Sequence, residues 1–451
     1  MDLNQAWDPI KMAESSSTFC ALPWAHQYVN MDGKIKACCI YQTQLGDLKE
    51  NSLEEIWNSE YTKKLRLRML KGEKSVGCKM CSNRSDINLP NMADDSNNWL
   101  FYVNEHDKSD TFKHDVRKLV ASTDETGHVA EHKLYYMDTR FNNLCNLSCR
   151  PCNSEFSTSW IADSKKMKEL RGIPLQSGKD IFTFSGKYET DAFEQIKPHL
   201  AYVAQIYFAG GEPMMQEDHY NILKELVRLG RKDVRLRYNT NLSRLKLGDN
   251  DVVELWKNFD TVVISASLDA SYERAEYWRH GTKWDLVVDN IQRIKEQVPH
   301  ADTFIMCSVG WPNSFNALEL HKEWVEKGYI SISNFEVNFI DGPSFYSLRS
   351  LPGWKKDKVK EQFLSHVDWI RSHPEHNDRV LENFNSAIGL MMRPSIYSDD
   401  LLHHYFSKET EKLDMLREED FWKTFPEHLD LKEYMDKIGS EQALKQTQKV
   451  N

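Results

Sequence analysis

Cys145, Cys149 and Cys152 place three thiols within eight residues, in the segment RFNNLCNLSCRPCN. Three thiolates on one loop can each bind one iron of a cubane and leave its fourth iron without a protein ligand. A zinc loop is the alternative, but zinc wants a fourth protein ligand, and none lies nearby in sequence. A second group precedes it: Cys20, Cys38, Cys39, Cys78 and Cys81. Cys20, Cys38 and the pair Cys78-x-x-Cys81 make four ligands, enough for one iron–sulfur cluster or for a structural zinc ribbon. Cys39 is the extra thiol, either a spare neighbour of Cys38 or the ligand in its place. The remaining cysteine, Cys307, lies in the apolar stretch TFIMCSV and is expected to be inert core. Clustered thiols in an unsecreted chain point to metal or catalysis rather than to disulfides.

A further motif lies downstream, in IYFAGGEPMMQ. Gly210 and Gly211 let a ligand approach the backbone closely. The Glu212 carboxylate, just before Pro213, can accept hydrogen bonds from an ammonium group.

These residues need a frame. Strand candidates are 133–139, 203–209, 233–239, 261–267, 302–309 and 332–339, with amphipathic helices between them at 216–230, 284–297 and 314–327. Six strands alternating with helices predict a parallel α/β sheet, as an open barrel or a doubly wound sheet. In such barrels the chemistry sits at the C-terminal strand ends, where the cysteine loop and the GGEP turn both fall. Residues 1–87 read as a small β-hairpin–helix module. Two short strands flank the turn Met31-Asp32-Gly33-Lys34, and a capping box, Ser52-Leu53-Glu54-Glu55, opens a helix carrying Ile56, Trp57, Leu65 and Met69. Residues 88–131 are rich in Asp, Asn, Ser and His and read as a linker with one helix. Residues 132–345 hold the strand–helix alternation. Residues 346–451 read as helical, ending in a frayed run, SEQALKQTQKVN.

The cysteine loop followed one βα unit later by GGEP resembles the radical S-adenosylmethionine (SAM) superfamily. The resemblance covers most of residues 18–340. It implies a partial (β/α)6 TIM-like barrel, and a 4Fe–4S cluster on Cys145, Cys149 and Cys152 whose open iron binds SAM. Gly210, Gly211, Glu212 and Pro213 then contact the methionine amine. Asn239, Thr240 and Asn241, in YNTNLS, end the third strand where the family has a threonine-asparagine pair near the ligand. Ser267 and Asp269, in SASLDA, match its Ser-Leu-Asp segment, and Arg279, in YWRHG, resembles the arginine that pairs with the SAM carboxylate. One position departs: the residue before the third cysteine is usually aromatic and packs near the adenine, and here it is Pro151. Other groups must hold the adenine.

The N-terminal cysteines, with Gly33, Pro23-Trp24, the turn Leu45-Gly46-Asp47-Leu48 and Glu55-Ile56-Trp57-Asn58, resemble the auxiliary-cluster module called SPASM, or its shorter form, twitch. Four ligands fit one cluster, so twitch is the better description. The best-known members carry this module after the barrel; here it comes first.

The resemblance implies an oxidoreductase with two 4Fe–4S clusters. A flavodoxin or ferredoxin delivers an electron, SAM is cleaved to a 5′-deoxyadenosyl radical, and the radical abstracts a substrate hydrogen. The auxiliary cluster on Cys20, Cys38, Cys78 and Cys81 passes an electron. The expected reaction is oxidation or crosslinking of a peptide. Dehydrogenation of a small alcohol is the second reading, and a non-catalytic zinc-binding interaction protein the third.

Composition agrees with a globular protein: 451 residues, 40% apolar and 28% charged. No run of about 18 apolar residues suggests a membrane span. The N-terminus lacks the basic start and apolar stretch of a secretion signal, so a cytoplasmic chain is expected. A net charge of −10 argues against nucleic-acid binding, and Lys165-Lys166 and Lys355-Lys356 read as solvated helix faces.

Overall fold

The structure is a computed structural model describing residues 7–86, 91–103, 111–170, 192–395 and 398–438. The C-terminal run SEQALKQTQKVN lies outside the described residues. The chain divides into two compact units. The first comprises Met1–Asn143, Ile181–Tyr238 and Leu247–Val262, and the second Leu144–Asp180, Asn239–Lys246 and Val263–Asn451.

The first unit opens with the expected hairpin. Strands β1 (Tyr28–Val29) and β2 (Lys34–Lys36) pair antiparallel, with Gly33 at φ +91° in the turn. That left-handed conformation suits glycine. Strand β3 (Gly46–Asp47) adds antiparallel to β2. The capping box at Ser52 and Glu55 is present and starts the helix Leu53–Trp57. The single helix expected here is two, because Ser59 caps a new helix, Glu60–Leu70, by accepting from the Thr62 amide. Where one helix was expected between 88 and 131, two are described, Met92–Leu100 and Thr111–Ala121, with Leu100, Val116 and Val120 fully buried.

Strands β4 (Tyr136–Thr139), β5 (Gln205–Phe208) and β6 (Arg235–Thr240) pair in parallel, and β4 also pairs in parallel with β1. Alternate residues on a strand face opposite ways. On one face Met137, Ile206, Phe208, Leu236 and Tyr238 are buried. Phe208 and Tyr238 stack at 4.9 Å and meet His219 of the helix Glu217–Arg228, and Tyr238 meets Trp256 of the helix Val252–Trp256. The opposite face is polar: Asp138, Tyr207 and Arg237 form one cross-strand row.

In the second unit β7 (Val262–Ala266), β8 (Asp302–Val309) and β9 (Phe335–Phe339) pair in parallel. The helices Tyr272–Trp278 and Trp284–Gln297 follow β7, and Asn316–Glu326 follows β8. All six expected strands and all three expected helices are therefore present, in the α/β class and strand–helix order of a partial (β/α)6 TIM-like barrel. The C-terminal region is helical as expected, with Gly353–Arg371, Asp378–Met391 and Asp399–Arg417. Lys165 and Lys166 are exposed. Lys355 corrects the sequence reading: it is 1% exposed, and its Nζ donates to Asp430 at 2.6 Å and to the Glu427 carbonyl at 2.9 Å. Among the described residues no helix is long and apolar enough to cross a membrane.

Candidate iron–sulfur and SAM sites

Cys20, Cys38, Cys78 and Cys81 line one cavity of about 170 Å³ in the first unit, walled by Leu22, Pro23, Tyr41, Met69 and Met80. Local sequence explains how they arrive there. Cys20 precedes the short helix Leu22–Ala25, Cys38 follows β2, and Cys78 ends a 3-10 turn from which the helix Lys79–Ser85 brings Cys81 round. Gly77 can lie beside Tyr41 only because it lacks a Cβ, which would sit 2.2 Å from the ring. Burial pushes all three thiols of Cys20, Cys38 and Cys78 up, Cys38 to about 12 and Cys78 to about 11, and the neighbouring thiols add to the rise. Metal loading must therefore displace protons. Four thiolates lining one cavity could hold one 4Fe–4S cluster.

Cys39 faces elsewhere. It is absent from the cavity lining, and its charged neighbours are Asp138 and Arg140, with Tyr28, Tyr136 and Tyr207 close enough to feel its charge. The adjacent thiols thus serve two environments: Cys38 the cavity, Cys39 the polar strand face. Buried Asp138 pairs with Arg140 at 3.0 Å, and Arg140 lies over the Tyr28 ring.

The turn Gly210–Pro213 follows β5. Gly210 and Gly211 both have left-handed φ, +78° and +51°. A Cβ on Gly210 would stand 2.8 Å from Cβ of Arg140. Glu212 is 1% exposed and caps the 3-10 turn Pro213–Met215 through the Met214 amide, while Gln216 Nε2 donates to the Gly210 carbonyl at 2.8 Å.

In the second unit the cysteine loop is fixed by its backbone. Ser148 N donates to the His280 carbonyl and Arg150 N to the Trp278 carbonyl, both at 2.9 Å. Gly281 makes this approach possible: a Cβ there would meet the Asn146 carbonyl at 3.0 Å. Ser159 Oγ donates to the Cys145 carbonyl at 2.7 Å, and the Trp160 indole to the Cys149 carbonyl at 2.8 Å. The three thiols are partly accessible. Burial raises Cys149 and Cys152, the latter to about 12.

The expected SAM contacts of this unit divide into two sets. Asn241 Nδ2 lies 4.0 Å from Cys145 Sγ and donates to Asn146 Oδ1 at 3.2 Å. Ser267 N donates to the Thr240 carbonyl at 2.8 Å, joining the two strand ends, and Asn239 Nδ2 reaches Met306 Sδ at 3.8 Å. Arg279 and Asp269 pair with each other at 2.8 Å, and Arg279 Nη1 lies 3.9 Å from Cys149 Sγ. Asp269 is fully buried and also accepts from the Ser308 amide at 2.7 Å. Cys307 is fully buried, as expected of core.

Sequence reasoning missed Arg150 and Arg417. Arg150 lies inside the loop and pairs with Asp414 and Glu419; Arg417 donates to the Ser148 carbonyl at 2.8 Å. Arg150 stood in the motif as an unassigned position, and that was its only signal.

Both cysteine groups fall in segments that match known families. Residues 139–314 match the radical SAM superfamily model, and residues 20–82 match the SPASM iron–sulfur cluster-binding domain. No curated protein matches. Among solved structures, anSMEcpe with bound AdoMet and the Cp18Cys peptide is similar at 14% identity and a TM-score of 0.36, over 52% of this chain and 58% of that one. SuiB of Streptococcus suis bound to S-adenosylmethionine is similar at 14% identity and a TM-score of 0.34, over 69% of this chain and 62% of that one. The chain spans about three fifths of the length of these solved chains. A radical SAM domain carries a 4Fe–4S cluster and SAM, and a SPASM domain carries auxiliary iron–sulfur clusters. Residues 139–314 thus form a radical SAM domain, and a SPASM-type iron–sulfur domain, residues 20–82, precedes it.

Proposed function

We propose that this chain is a radical SAM oxidoreductase that acts on a peptide, oxidising it by two electrons or forming a crosslink within it. One observation carries the reading: a three-thiol loop and a separate four-thiol cavity occur in the same chain. Cys145, Cys149 and Cys152 would hold the SAM cluster, with one iron left open for SAM. Cys20, Cys38, Cys78 and Cys81 would hold the auxiliary cluster. When bound, these groups supply reductive cleavage of SAM to a 5′-deoxyadenosyl radical and a route for the substrate's electron.

The chain's own residues supply position and charge. The Gly210–Pro213 turn offers backbone and the Glu212 carboxylate to the methionine amine. Asn239, Thr240, Asn241 and Ser267 are the proposed SAM contacts at the strand ends. Buried Asp269 orients Arg279 beside Cys149. Four cysteines fill the ligand positions of the auxiliary site, so its role is electron transfer rather than substrate binding. The reductant is a flavodoxin- or ferredoxin-type protein of the cytoplasm.

Anaerobic reconstitution tests this. About eight irons per chain, with 5′-deoxyadenosine released on adding SAM and a reductant, are expected from two 4Fe–4S clusters. Mass spectrometry of peptides incubated with the enzyme should show a product two hydrogens lighter. Zinc in both sites with no SAM cleavage would sink the class. A product from small alcohols but not from peptides would move the substrate and leave the class intact.

A further inference from the structure

The radical SAM match ends at residue 314, yet the cysteine loop is held by residues a hundred positions beyond it. Arg150 lies between Cys149 and Cys152, and its side chain is 1% exposed. Its Nη2 donates to Asp414 and, at 2.5 Å, to Glu419. Its guanidinium lies 3.7 Å from the Tyr277 ring centre, and Tyr277 Oη donates to Asp414 at 2.8 Å. The other oxygen of Glu419 meets His280 Nδ1 at 2.6 Å. Arg417 reaches the loop from the same segment: its Nη2 donates to the carbonyl and hydroxyl of Ser148, at 2.8 and 3.0 Å, and its Nε donates to Asp163 at 3.0 Å. Asp163 and Trp160 lie on the helix that follows the loop, and Arg417 lies over the Trp160 ring.

The backbone is shaped for this. The helix Asp399–Arg417 ends at Glu418, whose φ of +57° is left-handed. A non-glycine residue there is strained and persists only where its surroundings hold it. The turn brings Asp414 and Glu419 onto the one arginine, and the Phe421 amide closes it by donating to Asp414 at 2.9 Å. A buried guanidinium left without partners is strongly destabilising, so loop and segment order together.

We infer that the segment Asp414–Phe421 is a positioning element of the SAM-cluster site: Asp414 and Glu419, through Arg150, and Arg417, through Ser148, set the conformation in which Cys149 and Cys152 present their thiols. This rests on the radical SAM reading of the loop.

The test uses the full chain carrying Asp414→Asn and Glu419→Gln, reconstituted beside the unaltered protein. Iron per chain, thermal stability and the EPR spectrum of the reduced clusters, with and without SAM, are read for both. The expected outcome is loss of about half of the iron, with the SAM-sensitive EPR signal lost or shifted and the auxiliary signal retained. Asp414→Glu, which keeps the charge, should restore most of the signal. Unchanged iron and spectra would overturn the proposal, as would equal loss from both clusters. If the double variant does not fold, Arg417→Lys, which keeps the charge but drops the fork to Ser148, must still shift the SAM-sensitive signal alone. An unaltered chain that shows no SAM-sensitive cluster would instead bring down the radical SAM reading itself.

Discussion

Replacing Gly210 with alanine isolates the turn proposed to bind SAM. Gly210 sits at φ +78°, where an L-residue is less stable by about 1–2 kcal/mol. The new methyl group would also stand 2.8 Å from Cβ and 3.1 Å from Cγ of Arg140. Arg140 cannot swing away freely, because its guanidinium is tied to buried Asp138 at 3.0 Å. Relieving that overlap adds about 1 kcal/mol. Together these depopulate the native turn by about 2–3 kcal/mol. If SAM binds only that turn, and the native turn holds little margin over its alternatives, its apparent Kd rises by the same factor, roughly 30- to 150-fold.

Gly230→Ala is the matched control. Gly230 has φ +69° at the end of the helix Glu217–Arg228, and nothing lies within 4 Å of its added Cβ. It incurs the backbone strain and none of the overlap, away from the proposed SAM contacts. Titration calorimetry of SAM into the reconstituted proteins decides. Gly230→Ala should lower the melting temperature and leave the Kd unchanged. A Gly210→Ala protein that binds SAM within about threefold of the unaltered chain would refute the assignment of this turn.

Three other outcomes are expected. Cys38→Ala should lose the auxiliary cluster, about four of eight irons, whereas Cys39→Ala should keep it; iron and sulfide analysis of the two reconstituted variants separates them. Asp269→Asn breaks a fully buried pair with Arg279 and should lower stability by about 3–5 kcal/mol in urea unfolding, while a loss below about 1 kcal/mol would mean the pair is not buried. Acid should destabilise the fold well above the carboxylate range. Burial holds His26 and His199 at about 4, His132, His219, His321 and His428 at about 3, and His366 at about 2. Below about pH 6.5 the unfolded chain binds protons that these rings refuse, so stability falls as the pH drops from about 6.5 towards their folded values. Urea midpoints that stay flat between pH 7 and 5 would show these rings to be solvated.

Much of this was legible in the sequence because local pattern and local structure coincide. The apolar stretch TFIMCSV reads as a strand, and β8 runs along it with every residue of the stretch buried or half-buried. Ser52 and Glu55 stand at capping-box spacing, and both bonds form. Cys38 and Cys39 mark where pattern stops helping. Both follow the same strand, and only tertiary packing sends one thiol to the cavity and the other towards Asp138 and Arg140. Asp269 and Arg279 show a subtler limit. Each matched a SAM position, and the helix Tyr272–Trp278 carries the chain back so that they also meet each other, which the motif did not announce. A motif names residue types at a site, and it does not say which of them touch the ligand and which hold their neighbours.

The C-terminal region was the least legible part for the same reason at longer range. Its helices show in composition, but the partner of Arg150 is 264 positions away, and no periodicity spans that distance. The physical demand could still have been noticed. An arginine between Cys149 and Cys152 adds a fixed positive charge to a loop that is packed on both sides, by Trp278 and His280 from one direction and Trp160 from the other. Such a charge must reach solvent or find acids. Here it finds two, on a segment bent by a left-handed residue to present both. If that compensation is what shapes the loop, the three cysteines are insufficient by themselves, and a chain cut between residues 314 and 414 would keep the motif while losing the charges that set it.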